Sequence, residues 1–205
     1  MDKDKLKLRC AEISYNVIFG AKRHFSTFDI VEKVPTYFGV STTAIGIYQL
    51  AYRQNSTTLS VIITSIGVAL IYLNFYNSEK DKYVSVGKKL TDTYNKLRSL
   101  FNEIDQADTA HLAILEQKLN ETNSEYQQIS LHKQVFGSGV FAHYKLFCEA
   151  TTQSKWLVKE LRLTLWKDMV PASTKVLAVV VLIGISVWVI DYLDLFAKIK
   201  TLVGP

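Results

Sequence analysis

The chain has 205 residues, 48% hydrophobic and 21% charged, with 24 Lys and Arg against 19 Asp and Glu for a net charge of +5. That many charges exclude a chain buried wholly in lipid, and the length allows one membrane domain plus a modest helical body. Two cysteines and four histidines at no zinc-binding spacing exclude a disulfide framework and a recognisable metal motif.

Taken in chain order, residues 1–30 predict an N-terminal cytosolic amphipathic helix. Within residues 4–25, Leu6, Cys10, Ile13, Val17 and Gly20 fall at helical spacing, and Leu8, Ala11, Tyr15 and Ile18 widen that face. The start, Met-Asp-Lys-Asp-Lys-Leu-Lys, is charged and has no apolar core before residue 34, so it does not read as a cleavable signal. Ser26-Thr27-Phe28-Asp29 predicts a break with capping residues, and Pro35 suits the first turn of a new helix.

Two uncharged stretches follow, 19 residues from Val34 to Tyr52 and 25 residues from Gln54 to Ser78, with Arg53 alone between them. A bilayer span needs about 20 apolar residues to cover roughly 30 Å of hydrocarbon. Residues 34–78 therefore predict a transmembrane hairpin closed by the Arg53–Thr57 turn. Tyr37 and Tyr52 mark the ends of the first span, and Tyr72 and Tyr76 the inner end of the second. Lys3, Lys5, Lys7, Arg9, Lys22, Arg23 and Lys33 precede the hairpin, and Lys80, Lys82, Lys88, Lys89, Lys96 and Arg98 follow it. By the positive-inside rule both flanks are cytoplasmic. The basic balance thus reads as topology, and no direct nucleic-acid binding is expected.

Residues 79–170 predict a cytosolic helical region. Tyr83, Val86, Leu90, Tyr94, Leu97, Phe101 and Ile104 make one apolar stripe. The polar stretch Asp105–Asp108 interrupts it, with Asp108 as a cap, and the stripe resumes at Leu112, Leu115, Leu119, Thr122, Tyr126 and Ile129. Each such helix has one apolar face, so these faces must pack on one another or on a second chain. Phe136-Gly-Ser-Gly-Val-Phe141 predicts a bend. It lacks the strand and further glycines of a phosphate loop. Residues 141–169 predict a basic amphipathic helix carrying Trp156 and Trp166, lying on a membrane surface or packing its aromatics internally. A third transmembrane helix is predicted over 174–197, with Val176–Ile190 as its apolar centre, more basic residues upstream than downstream, and the C-terminus outside.

The sequence holds no Walker loop, no Gly-x-Ser-x-Gly and no Cys-x-x-Cys, and none of His24, His111, His132 and His143 sits in a zinc motif. No enzymatic activity, cofactor or metal is expected. The informative residues are polar ones inside the spans. Gly39, Thr42, Gly46, Gln49 and Arg53 recur at three- and four-residue steps in the first, and Ser60, Thr64, Gly67, Ile71 and Asn74 in the second. Such faces either pack the two helices together or line a water path in an oligomer. Asp191 and Asp194 on the third span either face a bundle interior or mark the outer interface. Tyr83, Leu90, Tyr94, Leu97, Phe101, Leu112, Leu115 and Leu119 are the candidate oligomer or helix-packing residues.

The N-terminal amphipathic helix from Arg9-Cys-Ala-Glu to Arg23-His24, the tight hairpin, and the helix opening Tyr76-Asn-Ser-Glu-Lys-Asp-Lys-Tyr83 and continuing Lys88-Lys-Leu-Thr-Asp-Thr-Tyr-Asn-Lys-Leu97 together resemble the SLATT family over residues 5–130. The family comprises prokaryotic two-span effectors associated with nucleotide-generating and nucleotide-sensing conflict systems. Residues 141–205 depart from its shortest members. The resemblance implies an antiphage effector of the bacterial inner membrane, in a cyclic-oligonucleotide or retron-type system. It would oligomerise into a pore and depolarise the cell, arresting growth or killing it. A sensor or regulator encoded nearby, from a nucleotidyltransferase or reverse-transcriptase system, would trigger it. The alternative is a non-conducting membrane anchor that recruits a cytosolic partner through its helical region.

Overall fold

The computed structural model describes residues 2–52, 56–129 and 133–203. The apolar stripes are long enough to form helices and too one-sided to stand alone, and the described residues are mostly helical, without a strand. Helix α1 runs Lys3–Tyr52, α2 Thr57–Asn77, α3 Lys80–Gln106, α4 Leu112–Gln128, α5 Ser138–Tyr144, α6 Thr151–Glu160 and α7 Ala172–Val203. The chain divides into two units, Met1–Leu163 and Thr164–Pro205.

The first unit is organised by α1 against α3. Leu6, Cys10, Ala11, Val17, Ile18 and Ala21 of α1 meet Val86, Leu90, Tyr94, Leu97, Leu100 and Ile104 of α3 in one buried cluster. Leu112, Leu115 and Leu119 of α4 close one side of it, and Leu146 and Leu157 another. Each such aliphatic contributes about 1.5–3 kcal/mol by leaving water. Phe101 is half-buried against the cluster, and Tyr83 is buried near the base of α2. The stripes read as oligomer or packing faces are therefore taken up inside one chain, chiefly by the N-terminal helix.

Polar ties fix the register. The Tyr94 hydroxyl donates to the Gln153 carbonyl at 2.5 Å and accepts the Trp156 indole N–H at 2.7 Å. Trp156 also lies 4.6 Å, centroid to centroid, from Phe101, so this tryptophan is an internal packing group. Lys7 pairs with Asp105 at 2.6 Å, and Arg9 donates to Asn120 at 2.8 Å. Asp108 caps the turn into α4 as expected, accepting from the His111 N–H at 3.3 Å.

Several expected boundaries differ. The break at Ser26–Asp29 does not form; α1 continues through it, and Pro35 sits inside the helix. Tertiary contacts override the local signal. Ser26 and Thr27 are fully buried, Thr27 donates to Gln134 at 2.6 Å, and Asp29 binds Lys33 and Lys145. Pro35 removes one i→i−4 bond, ordinarily a cost of about 3 kcal/mol in a helix interior. The expected long helix over 141–169 is broken into α5, a wide turn at Lys145–Glu149, α6, and a second wide turn at Leu165–Met169. Those breaks carry Leu146 and Leu157 into the core, and Arg162 ends α6 in the left-handed region at φ 50°.

Among the described residues one helix, Thr57–Asn77, is long and apolar enough to cross a membrane. The expected first span is uncharged but less apolar, because Thr36, Ser41, Thr42, Thr43 and Gln49 dilute it. In the second unit α7 runs Ala172–Val203, and Ala172–Val187 is an apolar stretch of it among the described residues. Lys175 lies over the Trp166 ring at 5.9 Å there, and the Asp168 carboxylate accepts from the Thr164 N–H at 2.9 Å.

One glycine sets the α1–α3 approach. A Cβ on Gly87 would lie 2.9 Å from the Phe25 ring, whereas one on Gly46 would meet nothing within 4 Å. Gly87→Leu should destabilise the protein in detergent by about 1–3 kcal/mol through overpacking. Gly46→Leu should leave the thermal midpoint unchanged. Equal midpoints for both variants in thermal circular dichroism would show that the Phe25 ring yields freely.

Cys10 is buried, donates to the Leu97 carbonyl at 3.4 Å, and is pushed up to about 12 by burial, against the opposing Ser14 hydrogen bond. The unfolded chain ionises this thiol near 9.0, so it loses the proton first, and stability falls as pH rises from about 9 to about 12. Cys148 is exposed. A maleimide titration of the native protein should find one fast thiol, abolished by Cys148→Ser. A second fast thiol at neutral pH would show that the α1–α3 core opens.

Candidate functional site

The candidate site is the stretch where α1 leaves the core and runs beside α2. The two helices meet at their base, where Ile30 and Val31 of α1 pack with Leu73 of α2 and with Val135. Above that base α1 turns Val34, Pro35, Gly39, Thr42, Ile45, Gly46 and Gln49 to its less exposed side. These include every predicted small or polar position of the first span that the structure describes. Arg53, Gln54 and Asn55, the expected outer turn, lie outside the described residues.

Helix α2 is arranged differently. Its less exposed line is apolar: Leu59, Ile63, Ile66, Gly67, Leu70 and Leu73. Of the predicted face only Gly67 lies on that line; Ser60, Thr64, Ile71 and Asn74 are exposed. The structure therefore does not bring the two small-or-polar faces together.

Their polar groups are handled within each helix. Thr42 donates to the Phe38 carbonyl at 2.8 Å and Thr43 to Gly39 at 2.8 Å. Ser60 donates to Ser56 at 3.2 Å, Thr64 to Ser60 at 2.9 Å and Ser65 to Val61 at 2.8 Å. Back-bonding of this kind satisfies a hydroxyl where water is absent. It links no residue of α1 to α2. A Cβ on Gly39, Gly46 or Gly67 would meet nothing within 4 Å, so these glycines mark open space and not a close helix approach. The Gln49 and Asn74 amides make no hydrogen bond among the described residues. Asn74 lines a cleft of about 210 Å³ with Pro35, Leu70, Asn77 and Lys80. Outward from both helices stand Val40, Ile47, Leu50, Val61, Val68, Ile71 and Phe75, all exposed. Asp191 and Asp194 fall on α7, but their side chains lie outside the described residues, as does His132.

Just below this stretch lies a charged junction that sequence reasoning missed. Asp29 on α1 binds Lys33 at 2.7 Å and also pairs with Lys145. Burial pushes the Asp29 carboxyl up, but the hydrogen bonds from Lys145 and Lys33 outweigh it and hold it below the usual carboxylate range. Lys22, two turns earlier, is half-buried; burial and then the Lys145 charge push its ammonium down. Phe25, Phe28, Val84 and Glu149 complete a cleft of about 410 Å³ around these groups. The available signal was the Lys22–Asp29 i,i+7 spacing on one helix face; the partner Lys145 lies 116 residues from Asp29 and left no trace in spacing. Among the described residues no three His, Cys, Asp or Glu side chains converge to hold a metal.

Compared with known proteins, residues 1–192 match the family described as SMODS and SLOG-associating 2TM effector domain 6. The chain matches no curated protein and no solved structure significantly.

Proposed function

This chain belongs to the SMODS and SLOG-associating 2TM effector family, a transmembrane effector domain of nucleotide-based conflict systems, and we propose that it is an antiphage effector that oligomerises in the bacterial inner membrane and depolarises the cell. In this reading the N-terminus and residues 79–170 lie in the cytoplasm, with the Arg53–Thr57 turn and the C-terminus outside. A sensor encoded nearby supplies the trigger.

The observation that carries the proposal is the outward ridge of α2. Ser60, Thr64 and Asn74 are exposed on an otherwise apolar helix, with the hydroxyls satisfied locally and the Asn74 amide unused. At bilayer depth the Ser60 and Thr64 hydroxyls are satisfied within α2, while Asn74, between Tyr72 and Tyr76 at the inner end of the helix, has its amide open to water or to a neighbouring copy. In a ring of copies that ridge faces neighbours or water, and Gln49, on the less exposed side of α1, lies next to the gap between the two helices. Leu90, Tyr94 and Leu97 are buried within the chain, which supports the α1–α2 segment over the α3 stripe as the assembling part. The competing reading, a silent anchor for a cytosolic partner, is favoured by no particular group.

Gln49→Leu with Asn74→Leu should keep membrane abundance and slow dye-reported depolarisation in induced cells about tenfold, as an apolar lining tends to dewet. Unchanged kinetics would reduce both residues to surface groups and return the protein to the anchor reading. The orientation is checked separately. Asn55→Cys should react with an impermeant maleimide added to intact cells, and Lys88→Cys should not; the reverse pattern would overturn the topology.

A further inference from the structure

The segment Lys133–Phe136 is an irregular strap fastened at each residue around the base of the α1–α2 pair, Lys133 to Tyr83 of α3 and the other three to α1 and α2 themselves. The Lys133 carbonyl accepts the Tyr83 hydroxyl at 2.8 Å. The Gln134 side chain accepts the Thr27 hydroxyl at 2.6 Å. Val135 is 3% exposed, packed with Ile30, Val31 and Leu73. The Phe136 N–H donates to the Tyr72 hydroxyl at 3.2 Å. Gly137, at φ 84°, then turns the chain into α5. The ring of Phe136 alone is left out, 88% exposed, the largest exposure of any bulky apolar side chain described here.

An isolated exposed phenylalanine on a soluble surface needs no explanation. This one is different in placement. Its backbone hangs from Tyr72, which with Tyr76 marks the inner end of the one helix apolar enough to cross a bilayer. Tyr72 and Tyr76 touch edge to face at 5.4 Å, an aromatic pair at the level where a bilayer changes from acyl chain to headgroup. Lys133, at the start of the strap, is exposed, and Lys33 and Lys80 stand on α1 and α3 next to the same base. Cations at that level meet anionic headgroups.

We infer that the Lys133–Phe136 strap is an interfacial foot: Phe136 inserts into the headgroup boundary of the cytoplasmic leaflet, with the bilayer itself as the ligand. The inference rests on the membrane placement of α2 proposed above. The four fastenings fix the ring before lipid arrives, so little conformational freedom is lost on insertion. The strap also joins α5 to the α1–α2 base, so the cytosolic body is held to the bilayer at a second point beside the helices that enter it.

The test uses full-length protein in vesicles of phosphatidylethanolamine and phosphatidylglycerol at 3:1, with Cys148→Ser as background and Cys10 left in the core. A nitroxide is placed singly by Phe136→Cys, by Val68→Cys in the middle of α2, and by Ser124→Cys on the exposed face of α4. Power saturation with oxygen and with a water-soluble nickel chelate reads depth. The expected order is Val68 deepest, Phe136 intermediate with at least threefold less nickel access than Ser124, and Ser124 in water. Val68 protected with Phe136 as accessible as Ser124 overturns the foot and leaves the membrane reading standing. Val68 as accessible as Ser124 overturns both. Should the Phe136 variant not reconstitute, Lys133→Cys is labelled in its place; nickel access equal to that of Ser124 is then the overturning result.

Discussion

From Lys3 to about Val31, α1 buries its apolar face along α3, and beyond Pro35 the same unbroken helix has no core to lie on. That continuity is the constraint on which the remaining architecture depends. A helix packed over eight turns against α3 is stiff, and its direction sets where the upper part of α1, and hence α2, can run. Of the residues that would ordinarily stop it, Thr27 and Asp29 are bound elsewhere, to Gln134 and Lys145, and Ser26 is buried, so the break signals give way to tertiary contacts. Gly87 lets α3 approach Phe25, and Tyr94 joins α3 to α6 through Gln153 and Trp156.

The helical pair above the core follows another rule. In the core, apolar side chains interdigitate at ordinary contact distance and leave little room for added volume. In the upper stretch three glycines have open space around them and the hydroxyls bond to their own helices. Such a pair has satisfied its backbone and hydroxyl groups without exhausting its surfaces. That suits a segment whose partners are lipid or further copies, because association in lipid proceeds through packing and small residues more than through hydrophobic burial.

Between these two regimes lies a belt of charge. Glu32 faces Lys80, Asp29 holds Lys33 and Lys145, and Lys22 sits half-buried beside them. The belt joins α1, α3 and the turn after α5 within a narrow layer. Asp29 and Lys145 are partly buried together, so loss of either would leave a charge in a poor solvent, whereas Lys33 and the Glu32–Lys80 pair are exposed and add little.

Periodicity alone determined the helical class, the stripes of α3 and α4, and the uncharged block before Ser78. Leu90, Tyr94 and Leu97 announce a buried face by spacing, and Asp108 announces its cap. The family resemblance was legible for the same reason, since it rests on helix order and charge placement. What the spacing could not say is which helix each stripe would meet. An apolar face is the same whether its partner is a second copy or the chain's own N-terminus. Only the fold showed that α1 occupies it. Nor could spacing say which way a helix turns in a pair. Ser60, Thr64 and Asn74 make a clean periodic face, yet the apolar line of Leu59, Ile63 and Leu70 turns inward, because rotation about the helix axis is fixed at the base by Leu73 against Ile30, Val31 and Val135. The strap at Lys133–Phe136 and the pairing of Asp29 with Lys145 join residues from 50 to 116 positions apart. Contacts at such separation arise from chain topology, and a linear pattern carries no record of them.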